Sequence, residues 1–209
     1  SDFLANRLKF TEVTGAGSVI NQGNITTGQG GNVYLVGPAV TNSGIITSPS
    51  GEIVLAAGNS VELVNPRTPS LRVEIVAPDN QALNLGQIAA ESGRIGIYAG
   101  LIDQKGTIRA DSAVSEGGRI LLKATRNATL AAGSVTTASG PDGGRIEINA
   151  GDTTLVAGAV EAKGAAGQGG AVHVLGDKVG VYGNARIDAS GETGGGTVLV
   201  GGGFRSQAD

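Results

Sequence analysis

The residues whose types could do chemistry are few. His173 is the only histidine and there is no cysteine. A lone imidazole with no second His or Cys supplies neither a zinc site nor a nucleophile triad. The acids Asp103, Asp111, Asp142, Asp152, Asp177 and Asp188 stand singly. Most sit beside small and polar residues, where Asp satisfies turn backbone, and they form no pair suited to acid–base or glycoside chemistry. The runs Gly28-Gln29-Gly30-Gly31 and Gly194-Gly195-Gly196 lack a following Lys-Ser/Thr, so neither is a phosphate loop. No Asp recurs at a fixed interval after the glycines, as calcium-binding repeats require. These residues point to no catalytic residue, no metal and no cofactor.

Arginine is patterned. Arg94, Arg119 and Arg145 each follow a glycine and precede an isoleucine. Stacked in line on adjacent strands, their Cα atoms would lie about 4.8 Å apart. Two readings stand: a solvated row balanced by acids such as Glu116 and Glu147, or a strip for an anionic group, since guanidinium suits bidentate contact. On the second reading Arg94, Arg119, Arg145, Arg67 and Arg72 form the ligand surface, and a host or matrix glycan is the partner.

The elements that would position such a row repeat. The second glycine of the Gly-Gly or Ser-Gly corners falls at Gly31, Gly51, Gly93, Gly118, Gly144, Gly170 and Gly196, with spacings of 20, 42, 25, 26, 26 and 26. A period in the twenties predicts a solenoid, the 42 holding two coils and an insertion. The second and fourth residues after each glycine are Val33 and Leu35, Ile53 and Leu55, Ile95 and Ile97, Ile120 and Leu122, Ile146 and Ile148, Val172 and Val174, Val198 and Val200. This alternation marks a strand with one buried face and predicts that Asn32, Glu52, Arg94, Arg119, Arg145, Ala171 and Thr197 point outward. A second short strand precedes each corner, as in Asn42-Ser43-Gly44-Ile45-Ile46 or, more loosely, Gly133-Ser134-Val135. A third apolar point falls at Val61, Ile102, Leu130, Leu155 and Val181. Three short strands per coil predict an all-β parallel β-helix of roughly triangular section, a single domain over 1–209.

Two departures stand out. Residues 62–85 read as an extra-helical β-hairpin standing off the solenoid, two alternating strands around the turn Asn65-Pro66-Arg67-Thr68-Pro69-Ser70. Corners lengthen at 110–116, 138–142, 162–168 and 189–194, all small or polar, and project from one edge, where solenoids often bind.

Composition agrees. Gly is 37 of 209 residues without a Gly-X-Y period, which excludes collagen, and 40% hydrophobic content argues against disorder. With no Trp or Met and only 3% aromatics, the core must be aliphatic. A net charge of -3 removes the electrostatic case for nucleic acid. No apolar run approaches the ~18 residues of a membrane span. Asn24-Ile25-Thr26 and Asn127-Ala128-Thr129 are glycan-acceptor sequons.

The stretches 2–10 (DFLANRLKF), 17–25 (GSVINQGNI), 31–46 (GNVYLVGPAVTNSGII) and 51–58 (GEIVLAAG) resemble the filamentous haemagglutinin family, the secreted exoproteins of two-partner secretion with a haemagglutination-activity domain. The resemblance covers about the first 125 residues; the rest resembles generic coils. It implies a right-handed parallel β-helix, exported through a dedicated outer-membrane partner channel and displayed at the cell surface as an adhesive rod. The family's Asn-Pro-Asn-Gly and Asn-Pro-Asn-Leu motifs are absent, and Asn65-Pro66-Arg67 has no third Asn. The chain therefore reads as a fragment beginning late in the secretion domain, with channel recognition upstream and both ends cut, so that coils can associate end to end. A structural rod segment is the first reading and a ligand-binding module using the hairpin or long corners the second. A carbohydrate-active enzyme is a third reading, without the clustered carboxylates it needs.

Overall fold

The computed structural model describes residues 7–11, 17–64, 71–115 and 117–203, and among them every regular element is a strand. Short β-branched runs broken by Gly, Asn and Ser leave no segment long enough for a helix, and the chain winds instead into seven coils of three strands. The first strands of the coils stack into one parallel sheet: β2 (Ser18–Asn21), β5 (Ala39–Asn42), β10 (Gln81–Asn84), the C-terminal parts of β12 (Arg94–Gln104) and β14 (Arg119–Leu130), β17 (Thr153–Val156) and β20 (Lys178–Val181). The second sheet is β3 (Asn24–Thr26), β6 (Ile45–Thr47), β11 (Gln87–Ala89), β13 (Thr107–Arg109), β15 (Val135–Thr137), β18 (Ala159–Glu161) and β21 (Arg186–Asp188). The third is β4 (Asn32–Gly37), β7 (Glu52–Ala57), the N-terminal parts of β12 and β14, β16 (Arg145–Ala150), β19 (Ala171–Gly176) and β22 (Thr197–Gly202). This is a parallel β-helix.

Register in the third sheet follows the glycine corners. Asn32, Glu52, Arg94, Arg119, Arg145, Ala171 and Thr197 are successive Cα partners, as are Val33, Ile53, Ile95, Ile120, Ile146, Val172 and Val198. The inward row from Val33 to Val172 is buried and joins one continuous aliphatic core. Glycine is required at these corners because the chain passes directly over the coil below: a Cβ on Gly51 or Gly93 would overlap the carbonyl oxygen of Gly31 or Gly51.

Of the apolar points proposed for the first sheet, Leu130 and Val181 share a register through Val156, and the others do not. Ile102 is in line with Ala128 and Thr154, Leu130 with Gln104 and Val156, and Leu155 with Asp103 and Thr129. The phase is lost because β12 and β14 run through the bend without a break, with a bulge between Ala99 and Leu101. Val61 belongs to another sheet altogether. In the second sheet the inward residue of β15 is Thr136, between Ile108 and Val160, while Val135 is only half-buried.

Where the first two strands meet, the coils carry a buried amide ladder. Asn21 Nδ2 donates to Asn42 Oδ1 at 2.8 Å, Asn42 Nδ2 to Asn84 Oδ1 at 2.9 Å, and Asn84 Nδ2 to Gln104 Oε1 at 2.7 Å. Gln104 Nε2 donates on to the Gly106 and Val135 carbonyls at 3.1 and 3.2 Å. From Leu130 onward the column is aliphatic.

The predicted hairpin exists with different limits. Its strands are β8 (Ser60–Val64) and β9 (Arg72–Val76), whereas Gln81–Asn84 has already rejoined the first sheet. β1 (Arg7–Thr11) pairs antiparallel on the other side of β8, giving the order β1-β8-β9. This sheet does not stand off the rod. Val61 and Leu63 are buried against Val54 and Ala56, with Leu8, Tyr34, Val36, Val73, Ile75 and Tyr98 around them. A strand pair with one apolar face must bury it, and the nearest apolar surface is the outer face of the third sheet. Positions 52, 54 and 56, which alternation places in solvent, are consequently covered.

Candidate functional site

The third sheet sets Arg94, Arg119 and Arg145 side by side on its outer face, immediately past the edge of the antiparallel sheet. They line a pocket of about 250 Å³ together with Leu71 of the covering segment, Gly96 and Tyr98 of β12, and the carboxylates Glu52 and Glu147. Gly96 is part of the construction: a Cβ there would lie 2.7 Å from Tyr98 Cε2, so the glycine gives the ring its space. Leu121 and Val54, the register neighbours of Gly96, add apolar wall.

The row is not uniformly charged. Arg94 Nε lies 3.5 Å from Glu52 Oε1, one coil below in the same register, and Arg145 Nη2 lies 3.6 Å from Glu147 Oε2 on its own strand. Arg119, exposed between them, makes no ion pair with any described residue. Glu116, the other proposed partner, falls outside the described residues. Burial pushes the Glu52 carboxyl up from its ordinary value, against the pull of Arg94 and of a hydrogen bond donated by Tyr34 Oη at 3.2 Å. Tyr98 is pushed up to about 12, first by burial and then by the charges of Glu52 and Glu147, so its hydroxyl remains a donor at neutral pH.

The remaining arginines of the sequence reading are not brought here. Arg72 is exposed on β9, its Nη2 3.0 Å from Glu74 Oε1, and it does not line the pocket. Arg67 lies outside the described residues. Glu52, Gly96, Tyr98 and Leu71 were not among the sequence candidates. Glu52 was legible in principle, since it holds the position of Arg94 in the preceding repeat. Leu71 was not, because its approach depends on how the hairpin docks.

Two further depressions run along the coils. The long corners enclose a groove of about 820 Å³ edged by Asp111, Ser139, Pro141, Lys163, Ala166 and Glu192. These corners are ordered by the same stacking as the strands, through parallel bridges Gly140 to Gly164 to Gly191. Their acids serve the backbone: Asp111 Oδ1 accepts from Ser139 N at 2.8 Å and from Thr137 Oγ1 at 2.7 Å, and Asp142 Oδ1 accepts from Gln168 N at 3.0 Å. A glycine-paved hollow of about 430 Å³ adjoins Arg119 and Arg145 on the corner side. His173 stands outward in register with Glu147 and Leu199. Among the described residues no group of three His, Cys, Asp or Glu could hold a metal ion, and no helix is long and apolar enough to cross a membrane.

No protein-family model matches the chain, and no curated protein matches it by sequence. Among solved structures it is similar to the HMW1 secretion domain from Haemophilus influenzae, with 26% identity and a TM-score of 0.77 over 100% of this chain and 68% of that one. The parallel β-helix described above is thus similar over its length to a secretion domain.

Proposed function

We propose that this chain is a rod-forming segment of an exoprotein of the filamentous haemagglutinin type, exported by two-partner secretion and serving adhesion at the cell surface. The observation that carries the reading is the likeness to a secretion domain across 100% of this chain. The physical features suit export as an extended chain. There is no cysteine to cross-link prematurely, and each coil completes its hydrogen bonds on the coil before it, so folding can propagate along the rod as the chain emerges.

The test is export of the parent protein from cells with and without its outer-membrane partner channel, followed by protease shaving of intact cells. The reading predicts that the segment reaches the medium or the shaved surface only when the channel is present. Equal export without the channel would sink it. A second reading, a ligand-binding module, is favoured by one observation, the pocket that gathers three arginines at the edge of the covering sheet.

A further inference from the structure

We propose that the pocket formed by Arg94, Arg119, Arg145, Leu71 and Tyr98 binds the carboxylate of a single uronic-acid sugar. The inference deepens the ligand-binding reading and is independent of how the chain is exported.

Charge defines the kind of ligand. Three guanidinium groups and the two carboxylates Glu52 and Glu147 share the pocket, leaving one net positive charge. Arg94 and Arg145 are engaged with those acids, so Arg119 is the group with its donors available among the described residues. A guanidinium fork of this kind takes one carboxylate bidentately. One net positive charge is neutralised by one carboxylate, and any further anionic group on a ligand would meet Glu52 and Glu147 without compensation.

Size and lining define the body that carries the charge. About 250 Å³ is smaller than the roughly 300–1,000 Å³ of pockets for drug-sized ligands, so the occupant is small. Val54, Leu71, Leu121 and the Tyr98 ring offer apolar surface to a ring face. Glu147, a third exposed, can accept a hydrogen bond from a sugar hydroxyl, and the Tyr98 hydroxyl, which makes no hydrogen bond among the described residues, can donate one. A sugar bearing one carboxylate and several hydroxyls offers a partner to Arg119, Glu147 and Tyr98 together, whereas an isolated acidic side chain offers one to Arg119 but none to Glu147.

Stability bears on the same residue. Like charges in adjacent register repel, and Arg119 has no described acid to offset its two neighbours. A residue that serves only as surface gains nothing from that position. Replacing it should therefore leave stability unchanged or slightly raised, while binding is lost.

The experiment titrates the chain with glucuronate and galacturonate, following backbone amide resonances, with glucose, acetate and N-acetylglutamate as comparators. We expect saturable binding of at least one uronate with Kd of about 1 mM, shifting Gly96, Arg119 and Leu121, and at least about tenfold weaker binding of every comparator. Arg119→Gln should weaken binding by about tenfold or more at an unchanged or higher Tm, with Arg119→Lys in between. Lys123→Gln, an exposed cation farther along the same strand, should bind as the parent does. Glucose binding equally would mean the carboxylate is not read. Equal binding of acetate or N-acetylglutamate would reduce the pocket to a general anion or acidic-peptide site. Either result, or no saturable binding up to about 50 mM uronate, overturns the proposal. None of these outcomes bears on the channel-dependent export of the parent protein.

Discussion

Glu52 shows how a single residue reports the docking of one sheet on another. Alternation makes it an outward side chain, yet it is 9% exposed because the covering sheet closes over its strand. Burial raises its pKa above the ordinary 4.5, so the folded state holds the proton more tightly than the unfolded one. The stabilisation this gives is fully present below the unfolded pKa and is lost as pH rises through the folded one. Glu52→Gln keeps an acceptor for Tyr34 and removes the titration, so its urea midpoint should fall less than the parent's between pH 4.5 and 7. Identical pH profiles would show that Glu52 is not coupled to folding. Asp188 has the opposite sign, lowered to about 2 chiefly by hydrogen bonding to Ser190 and then by Arg186, and its contribution is lost only in strong acid. Thr136 gives a simpler test. Its side chain is 0% exposed in a column of Ile108 and Val160, and its hydroxyl has no hydrogen-bond partner among the described residues. Thr136→Val removes an unsatisfied buried group at nearly constant volume and should raise stability by about 1–2 kcal/mol in urea unfolding. No sequence signal marked Thr136, because Val135 beside it looked like the core residue.

At the scale of the element, the amide ladder decides where polar groups are tolerated inside the rod. Asn42 Oδ1 accepts from Asn21 and its Nδ2 donates to Asn84 Oδ1, while neither neighbour can turn to water. Asn42→Leu therefore strands two buried groups, a cost of about 2–6 kcal/mol at about 1–3 kcal/mol for each unpaired group, partly offset by the added apolar burial. Asn21→Leu, at the open end of the ladder, leaves only one partner short and should cost about half as much in the same unfolding assay. The aliphatic stretch that begins at Leu130 shows that an apolar column is also stable provided no amide remains next to it without a partner. The repeated Asn in Asn21-Gln22-Gly23, Asn42-Ser43-Gly44 and Asn84-Leu85-Gly86 was visible in the sequence, but that these amides point at one another depends on the stacking. The same distinction runs through the fold. The second and third sheets were legible because a glycine sits at a fixed offset from each strand. The first sheet was not, because β12 and β14 cross the bend as continuous strands and carry no marker there. The hairpin was legible from its own alternation, but its partner β1 lies some fifty residues away, and nothing local specifies that pairing.

Over the whole molecule two regimes share one axis. Coils with β4, β7 and the start of β12 are layered on both sides, with the core inside and a second apolar cluster outside. Among the described residues, coils from β14 onward carry no covering sheet and carry the long corners instead. In a solenoid each coil is stabilised by its neighbours alone, so local damage should spread over one or two coils and then stop. Val54 lies between the layers at 2% exposure, with its side chain against the covering sheet. Val54→Asp puts a carboxylate into the apolar cluster between the two layers, where burying a charge is costly. Native-state amide exchange should then accelerate in β7, β8 and β9 and leave β16 and β19 at parent rates. In the parent chain the slowest amides should lie in β14 and β16, which have neighbours on both sides. Uniform acceleration of every strand by Val54→Asp would mean that the rod unfolds as one unit. It would also remove the physical basis for expecting the coils to fold one after another during export, since a chain that orders only as a whole cannot use its first coils as a template for the next.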